Sequence, residues 1–245
     1  MPPIPKQEIN FSTTTFKKIK EQSSYSTQLV NLGLGCIAFA LLLFFIDSNT
    51  TPVNQLTVWI SIIALIGMVF YTISYIYQFF DYEKIETYDR GSITILEEGI
   101  LINHKVLVQY AAIEYFSLHI DAYYEQRINM AMRTPMEQKS LGLKNTISFK
   151  TETGKLTRYF KLENKLRKEL LEQILLNLVT TNKFSRLDAK RAIKLIPERF
   201  RTHGKYKEFV IQQIKAGRIN CTEGLLLHGY SSDAEAKTLR SKYCN

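Results

Sequence analysis

Two long apolar segments dominate the hydrophobic pattern of this chain. Residues 29–46 and 56–80 contain no Asp, Glu, Lys, Arg or His. As α-helices, segments of about 20 residues rise roughly 30 Å, which matches the hydrocarbon core of a bilayer. A helical hairpin buried in a soluble core is the alternative, although core helices of this length usually carry a polar stripe. The pattern therefore predicts a transmembrane hairpin over residues 29–80.

The polar segments that flank this hairpin predict its orientation. Residues 1–28 contain four lysines, whereas the nine residues 47–55 contain one acid and no Lys or Arg. Because basic segments stay on the cytoplasmic side, both termini are expected in the cytoplasm of a multi-pass protein of the cell inner membrane. We expect residues 1–28 to form a disordered basic tail, with a short interfacial helix around Phe16 as the alternative.

After residue 90 the hydrophobic period changes to two, which indicates β-strands. Two tight-turn signals, at residues 97–99 and 152–154, each lie between β-rich runs. The apolar residues of segment 164–181 then recur at helical spacing, with Asn164 as the N-cap. Residues 81–90 are expected to be a charged connector. The predicted strands cover residues 92–96, 100–103, 105–110, 114–120, 123–132, 146–151 and 155–162.

The two predicted hairpins and the helix after them carry a family resemblance. The segments are GSITILEEGILIN, TISFKTETGKLTRYFKLE and the helix 164–181. In this order, residues 82–181 resemble the pleckstrin-homology-like domains that bacterial membrane proteins carry after a two-helix hairpin. The resemblance implies a PH-like bent antiparallel barrel with a C-terminal helix over residues 81–181, and it implies a fold rather than an activity. A meander sheet in a generic α+β domain is the alternative.

Residues 182–245 show a different pattern, that of short amphipathic helices. Pro197 and Gly217 end the first two, and Ser232 with Glu235 forms a capping box at the start of the last. The predicted fold class is therefore a membrane-anchored α+β protein: a transmembrane helical hairpin, a PH-like barrel and a small basic helical bundle. The predicted helices of this C-terminal domain cover residues 188–196, 205–216, 222–228 and 232–243.

Positive charge is concentrated in the C-terminal part of the chain. Residues 155–245 hold 20 Lys and Arg against 9 Asp and Glu, a net charge of +11, whereas residues 1–154 hold 12 against 14. Such an excess favours an anionic partner, such as phospholipid head groups, nucleic acid or an acidic protein. A solvated face without a dedicated ligand is the alternative.

Ten basic residues form the candidate binding site for an anionic ligand. Arg186, Lys190 and Lys194 fall on one helical face. Near a cytoplasmic leaflet, each Lys or Arg gains about 1 kcal/mol from anionic lipid. The ten candidates are Lys161, Lys165, Arg167, Lys168, Arg186, Lys190, Arg191, Lys194, Arg199 and Arg201.

The sequence carries no recognisable catalytic, nucleotide-binding or metal-binding signature. The four histidines lack metal-ligand spacing, and the G-x-S-x-G, Walker A and G-x-G-x-x-G motifs are missing. We therefore expect a protein that is not an enzyme and has no catalytic residues, metal or cofactor. The cysteines, Cys36, Cys221 and Cys244, predict no disulfide framework in a reducing cytoplasm. Cys221 and Cys244 are expected to pair only if the domain is extracytoplasmic.

These patterns favour a binding or scaffolding module at the membrane surface that engages anionic lipid or a partner protein. The alternative is a membrane-tethered nucleic-acid-binding adaptor or effector of a multi-protein system, for which binding should depend steeply on salt. A pore built from oligomerised hairpins is a third hypothesis, and a homo-oligomer stays open. Small residues should let the two helices approach closely; they are Gly33, Gly35, Ala64 and Gly67.

Overall fold

The computed structural model describes residues 10–50, 56–129 and 134–244, with the side chains of residues 49 and 50 left out. This part of the chain divides into two compact units. The first contains the described residues up to Lys18, Tyr88–Asp121 and the residues from Lys144 onward. The second contains the described residues of Ile19–Thr87 and Ala122–Leu143.

Seven strands form one open antiparallel sheet among the described residues. They are β1 (Phe11–Gln22), β2 (Lys84–Ile95), β3 (Gly99–Ile102), β4 (Val106–Gln109), β5 (Tyr115–His119), β6 (Asn145–Thr151) and β7 (Gly154–Phe160). Their spatial order is β4-β3-β2-β1-β7-β6-β5, so β4 and β5 are the two edge strands. In place of the bent antiparallel barrel predicted over residues 81–181, the structure therefore has an open sheet.

The two predicted tight turns are confirmed by the strand register. In the β2–β3 hairpin Ile95 pairs with Ile100, and in the β6–β7 hairpin Lys150 pairs with Lys155. Gly154 has a φ of +148°, a conformation that costs glycine little and other residues much. The turn residues and the period-two pattern thus set these two hairpins locally.

The N-terminal segment is a central strand, and the prediction of a disordered tail is wrong for residues 11–22. Strand β1 lies between β2 and β7, with Thr15 paired to Phe160 and Phe16 to Tyr159. Phe11, Thr15 and Phe16 are buried. The Thr-rich run is typical of a strand, but its partner β7 lies more than a hundred residues further along the chain.

Two further predictions of secondary structure are corrected. The expected charged connector 81–90 is largely strand, because β2 begins at Lys84. The expected strand over residues 123–132 is absent from its described part, residues 123–129, where Arg127 makes an isolated bridge to Lys139. Polarity does not exclude a strand at residues 84–90, since β2 keeps charged side chains exposed over its first half.

One long helix supplies much of the hydrophobic core of the first unit. The first two helices of the chain are α1 (Tyr25–Thr50) and α2 (Thr57–Tyr77). The third, α3, covers Lys165–Thr180 and is the core helix of this unit. Its predicted N-cap is confirmed, because the Asn164 side chain accepts a hydrogen bond from the Arg167 amide at 2.9 Å. Leu171 of α3 and the strand residues Ile93 and Phe160 are fully buried and line one small interior space.

The predicted C-terminal helices are confirmed with small shifts of their ends. They are α4 (Ala189–Lys194), α5 (Gly204–Lys215), α6 (Cys221–His228) and α7 (Asp233–Tyr243), with a 3-10 turn at Glu198–Phe200. The N-cap at Ser232 is confirmed by the Glu235 amide, which donates to the Ser232 hydroxyl, whereas the Glu235 carboxylate accepts from the amide of Ser231 and not from that of Ser232. Tyr206, Phe209 and Val210 of α5 are buried.

A disulfide joins Cys221 at the start of α6 to Cys244 just after α7. Their Cα atoms are 5.6 Å apart, and Cys36 in α1 is a free thiol. The expectation that no disulfide forms is therefore corrected. The reason is that α6 and α7 fold back on each other, which brings cysteines 23 residues apart in sequence together.

Helices α1 and α2 of the second unit are both long and apolar enough to cross a membrane. They are not buried helices of a globular core, because each buries a narrow stripe only, such as Ile60, Gly67 and Ser74 of α2. Phe45 and Trp59 remain 71% and 65% exposed. The hairpin prediction is thus supported in length, composition and outward-facing apolar surface.

Close approach of the two helices depends on one pair of glycines. A Cβ atom on Gly33 would lie 2.8 Å from the Gly67 carbonyl oxygen, and one on Gly67 would lie 2.8 Å from the Gly33 carbonyl oxygen. Gly35 faces open space, with nothing within 4 Å of a Cβ built there. The small-residue prediction is therefore confirmed for Gly33 and Gly67 and wrong for Gly35.

A buried polar cluster holds the base of the second unit together. Asp81 follows α2, and its Oδ2 accepts hydrogen bonds from the amide and the hydroxyl of Ser26 in the first turn of α1, both at 2.7 Å. The Glu83 Oε1 accepts from the Ser140 hydroxyl at 2.6 Å and from the Leu141 amide at 2.7 Å. Both carboxylates are buried, and charge-assisted bonds of this kind are among the stronger ones in proteins.

Candidate anion-binding site

Most of the ten basic candidates already have a carboxylate partner. Six of them form ion pairs: Lys165 with Glu169, Arg167 with Glu163, Arg186 with Glu152, Lys190 with Glu223, Arg199 with Glu172, and Arg201 with Glu198. Contact with Glu152 raises the pKa of Arg186, and contact with Glu223 raises that of Lys190. These pairs reduce the local charge that the sequence alone suggests.

One of these pairs is structural. The Arg199 guanidinium lies 2.5 Å from the Glu172 carboxylate, whose side chain is 9% exposed, and 3.9 Å from that of Glu169. Lys165 contacts the same Glu169 carboxylate at 4.0 Å. Arg199 and Lys165 therefore contact the same carboxylate, that of Glu169 on α3. Because a buried charge needs its partner, this pair contributes to packing more than to ligand binding.

Lys168 and Lys194 have no ion pair among the residues that the structure describes. Arg191 places its guanidinium 5.4 Å from the centre of the Tyr115 ring, a cation–π contact that leaves its charge unneutralised. Nine of the ten candidates therefore divide into six cations with a carboxylate within 4 Å and three without one among the described residues.

A separate cleft in the C-terminal helices gathers charged and polar groups. It has a volume of about 510 Å³ and lies where the start of α5 meets the loop between α6 and α7. Arg201 alone of the ten candidates lines it. The other lining residues are Thr202, Lys207, Leu226, Leu227, His228, Gly229, Tyr230, Ser231 and Glu235.

The cleft already binds one carboxylate, which belongs to the chain itself. Glu235 Oε2 accepts hydrogen bonds from the amide of Ser231 at 2.7 Å and from its hydroxyl at 2.6 Å. These bonds hold the pKa of the Glu235 carboxyl below its ordinary value, and the charges of Lys207 and His228 lower it further. The electrostatic environment at this end of α7 therefore favours negative charge.

His228 is 93% buried at the wall of the cleft, with a relative exposure of 7%. Its Nδ1 lies 2.9 Å from the Gly229 carbonyl oxygen, so this nitrogen is the one that carries a proton in the neutral ring. Its Nε2 has no hydrogen-bond partner within the described chain. The ring is therefore oriented by its own backbone, and its second nitrogen is left for another group.

A hydrogen bond and a disulfide connect the helices that form the wall of the cleft. The Tyr206 hydroxyl donates to the Leu227 carbonyl at 2.9 Å, and burial raises the pKa of Tyr206. The disulfide Cys221–Cys244 closes the far end of the α6–α7 pair. Lys207, Ser231 and His228 are not among the predicted site residues, because their convergence depends on how three helices pack. The capping box was the one local signal at this place.

No group of three or more His, Cys, Asp and Glu side chains suited to a metal ion occurs in the described ranges. The chain matches no protein-family model, no curated protein and no solved structure.

Proposed function

We propose that this protein is a non-enzymatic binding or scaffolding protein of the cell inner membrane, anchored by the hairpin α1–α2. The observation that carries the proposal is the outward-facing apolar surface of the hairpin. No more than 17% of the apolar window of either helix is buried. Exposed apolar area costs about 25 cal/mol per Å² in water, and large exposed apolar patches are typical of membrane or protein interfaces.

The proposal includes a PH-like fold for the sheet and α3. The strand order β4-β3-β2-β1-β7-β6-β5, in which β1 and β7 are neighbours and α3 follows β7 directly in the chain, supports this assignment. The hairpin then lies within the domain sequence, between β1 and β2, rather than before its first strand. The domain offers a stable platform, and the basic residues supply the ligand contacts.

We propose that an anionic ligand, lipid or a partner protein, contacts the cations that the fold leaves available. Lys168, Arg191 and Lys194 are the best placed of the ten candidates, because carboxylates do not neutralise them among the described residues. Each such cation gains about 1 kcal/mol near an anionic membrane surface. The net charge of +11 over residues 155–245 also favours nucleic acid, so the experiment that tests the proposal includes DNA as a competing ligand.

The test uses the full chain in nanodiscs of neutral lipid. Vesicles with and without phosphatidylglycerol, and a DNA duplex, are titrated across a salt series. We expect binding to the anionic vesicles that DNA does not displace. The double variant K168Q/K194Q should bind about 2 kcal/mol more weakly, or roughly 30-fold.

The matched control is K165Q/K190Q, which changes the net charge equally but removes cations that are already paired with Glu169 and Glu223. It should weaken binding much less. Tight DNA binding without a lipid preference would replace the surface module by the nucleic-acid adaptor. Equal effects of both double variants would show that net charge alone decides, and that no part of the surface is dedicated.

The side of the membrane is decided by a separate measurement. The loop charges favour cytoplasmic termini, where Cys221 and Cys244 would stand side by side as thiols. Alkylation of intact cells with a membrane-impermeant maleimide, followed by reduction and a second label, reports their state. Free thiols that only permeabilised cells label would support the cytoplasmic orientation. A disulfide that persists in cells would favour the extracytoplasmic one.

A further inference from the structure

We propose that the cleft between α5 and the α6–α7 loop binds a phosphate monoester on a small molecule with a flat or apolar body, of which a nucleoside monophosphate is the simplest example. This inference deepens the proposed function and rests on it in one respect, namely that the chain binds an anionic ligand. The argument uses the cations and the apolar wall of this cleft.

The cations of the cleft exceed its internal anion. Arg201 and Lys207 face a single carboxylate, Glu235, which already accepts two hydrogen bonds from Ser231. Arg201 also contacts Glu198 at 3.2 Å, but both side chains are largely exposed, and an exposed pair exchanges partners at little cost. Lys207 has no ion pair within 4 Å in the described chain. A second anion therefore finds two available positive groups.

A phosphate fits these groups better than a second carboxylate does. Its oxygens accept several hydrogen bonds at once, and guanidinium and ammonium groups are the usual partners of such oxygens. His228 and Thr202 also line the cleft, and the Thr202 hydroxyl can donate to a phosphate oxygen.

The rest of the cleft suits an apolar or flat ligand body. Leu226 and Tyr230 line it and are 63% and 40% exposed, so a ring that covers them removes apolar surface from water. The volume of about 510 Å³ lies within the range of small-molecule sites.

Isothermal titration calorimetry on the full chain in neutral detergent tests the proposal. AMP and inorganic phosphate should both bind, AMP more tightly, and adenosine should bind at least about tenfold more weakly than AMP. K207Q should weaken AMP binding about tenfold or more, because it removes one charge-assisted contact. The control K205Q, a lysine in the same helical turn that does not line the cleft, should leave the affinity unchanged.

A second readout needs no variant. In the wild-type protein, AMP should protect Lys207 from acetylation far more than Lys205, as read by mass spectrometry. Nanodiscs that contain phosphatidic acid separate the two sources of the phosphate: competition between these nanodiscs and AMP assigns a lipid head group, and its absence assigns a free metabolite. Both results support the site.

Three outcomes overturn the proposal: neither AMP nor phosphate binds, adenosine binds as tightly as AMP, or K205Q weakens binding as much as K207Q. None of them bears on the membrane anchor or on the effect of K168Q/K194Q, which concern other residues. Loss of that effect with AMP binding intact would reject the surface module and leave the cleft in place.

Discussion

Removal of the disulfide should release α7 from the rest of the C-terminal helices. The bond joins cysteines 23 residues apart. In the loop-entropy description, closing a loop of this length contributes about 3 kcal/mol to stability. A free energy of that size corresponds to a roughly 100-fold change in the equilibrium for opening.

The other contacts of α7 are too weak to replace this bond. No residue of α7 is buried. Arg240 donates to the Thr222 hydroxyl oxygen at 2.9 Å, and the Lys215 ammonium lies 5.4 Å from the centre of the Tyr243 ring. Contacts of this type at exposed sites are worth about 1 kcal/mol each or less. The effect of reduction should therefore be local to α7.

Hydrogen exchange measured by mass spectrometry provides the assay. The oxidised protein, the protein reduced with a phosphine and the variant C221S/C244S are compared, with C36S as the control for loss of a thiol. We expect the amides of α7 to lose protection in the reduced and doubly substituted proteins, while those of α3 and of the sheet keep theirs. Unchanged protection of α7 after complete reduction would refute this reasoning.

Two substitutions in the second unit have equally direct outcomes. G33V should separate α1 from α2, because its Cβ would meet the backbone of α2 at Gly67 and Tyr71, and should lower the melting temperature in detergent, whereas G35V faces open space and should not. D81N should lower the free energy of unfolding by about 1–3 kcal/mol. The oxygen of the introduced amide can still accept from Ser26, but its NH2 group then faces the Tyr82 amide, which is also a donor. D89N, which removes an exposed carboxylate 3.9 Å from Lys17, is its control in thermal unfolding; equal melting temperatures of D81N and D89N would contradict the assigned role of Asp81.

Features that depend on neighbouring residues in sequence were predictable. The capping residues Asn164 and Ser232 and the turn glycines Gly99 and Gly154 act within a few positions, and they placed helices and hairpins within a few residues of their observed ends. The length and apolar character of the hairpin helices are likewise properties of single segments. Local periodicity and capping thus account for most of the secondary structure.

Features that depend on distant pairing were not predictable from one sequence. Strand β1 requires β7, whose residues lie far along the chain, and its lysines resemble those of a membrane-proximal tail. The ion pairs that neutralise Arg186 and Lys190 join different elements, so a count of charges overestimated the basic face. The cleft arises only where Arg201, Lys207 and His228 converge from three separate segments.

The position of β1 ahead of the hairpin constrains how this protein can be made. Its neighbours in the sheet, β2 and β7, are synthesised only after both apolar helices. If α1 and α2 insert into a membrane as proposed, β1 stays unpaired until the hairpin has inserted, and it must remain on the side where β2 will emerge. An odd number of crossings would divide one sheet between two compartments. Changing the lysines of the N-terminal segment should therefore not invert that segment alone: biogenesis either keeps β1 with the later strands or yields an unfolded domain for proteolysis.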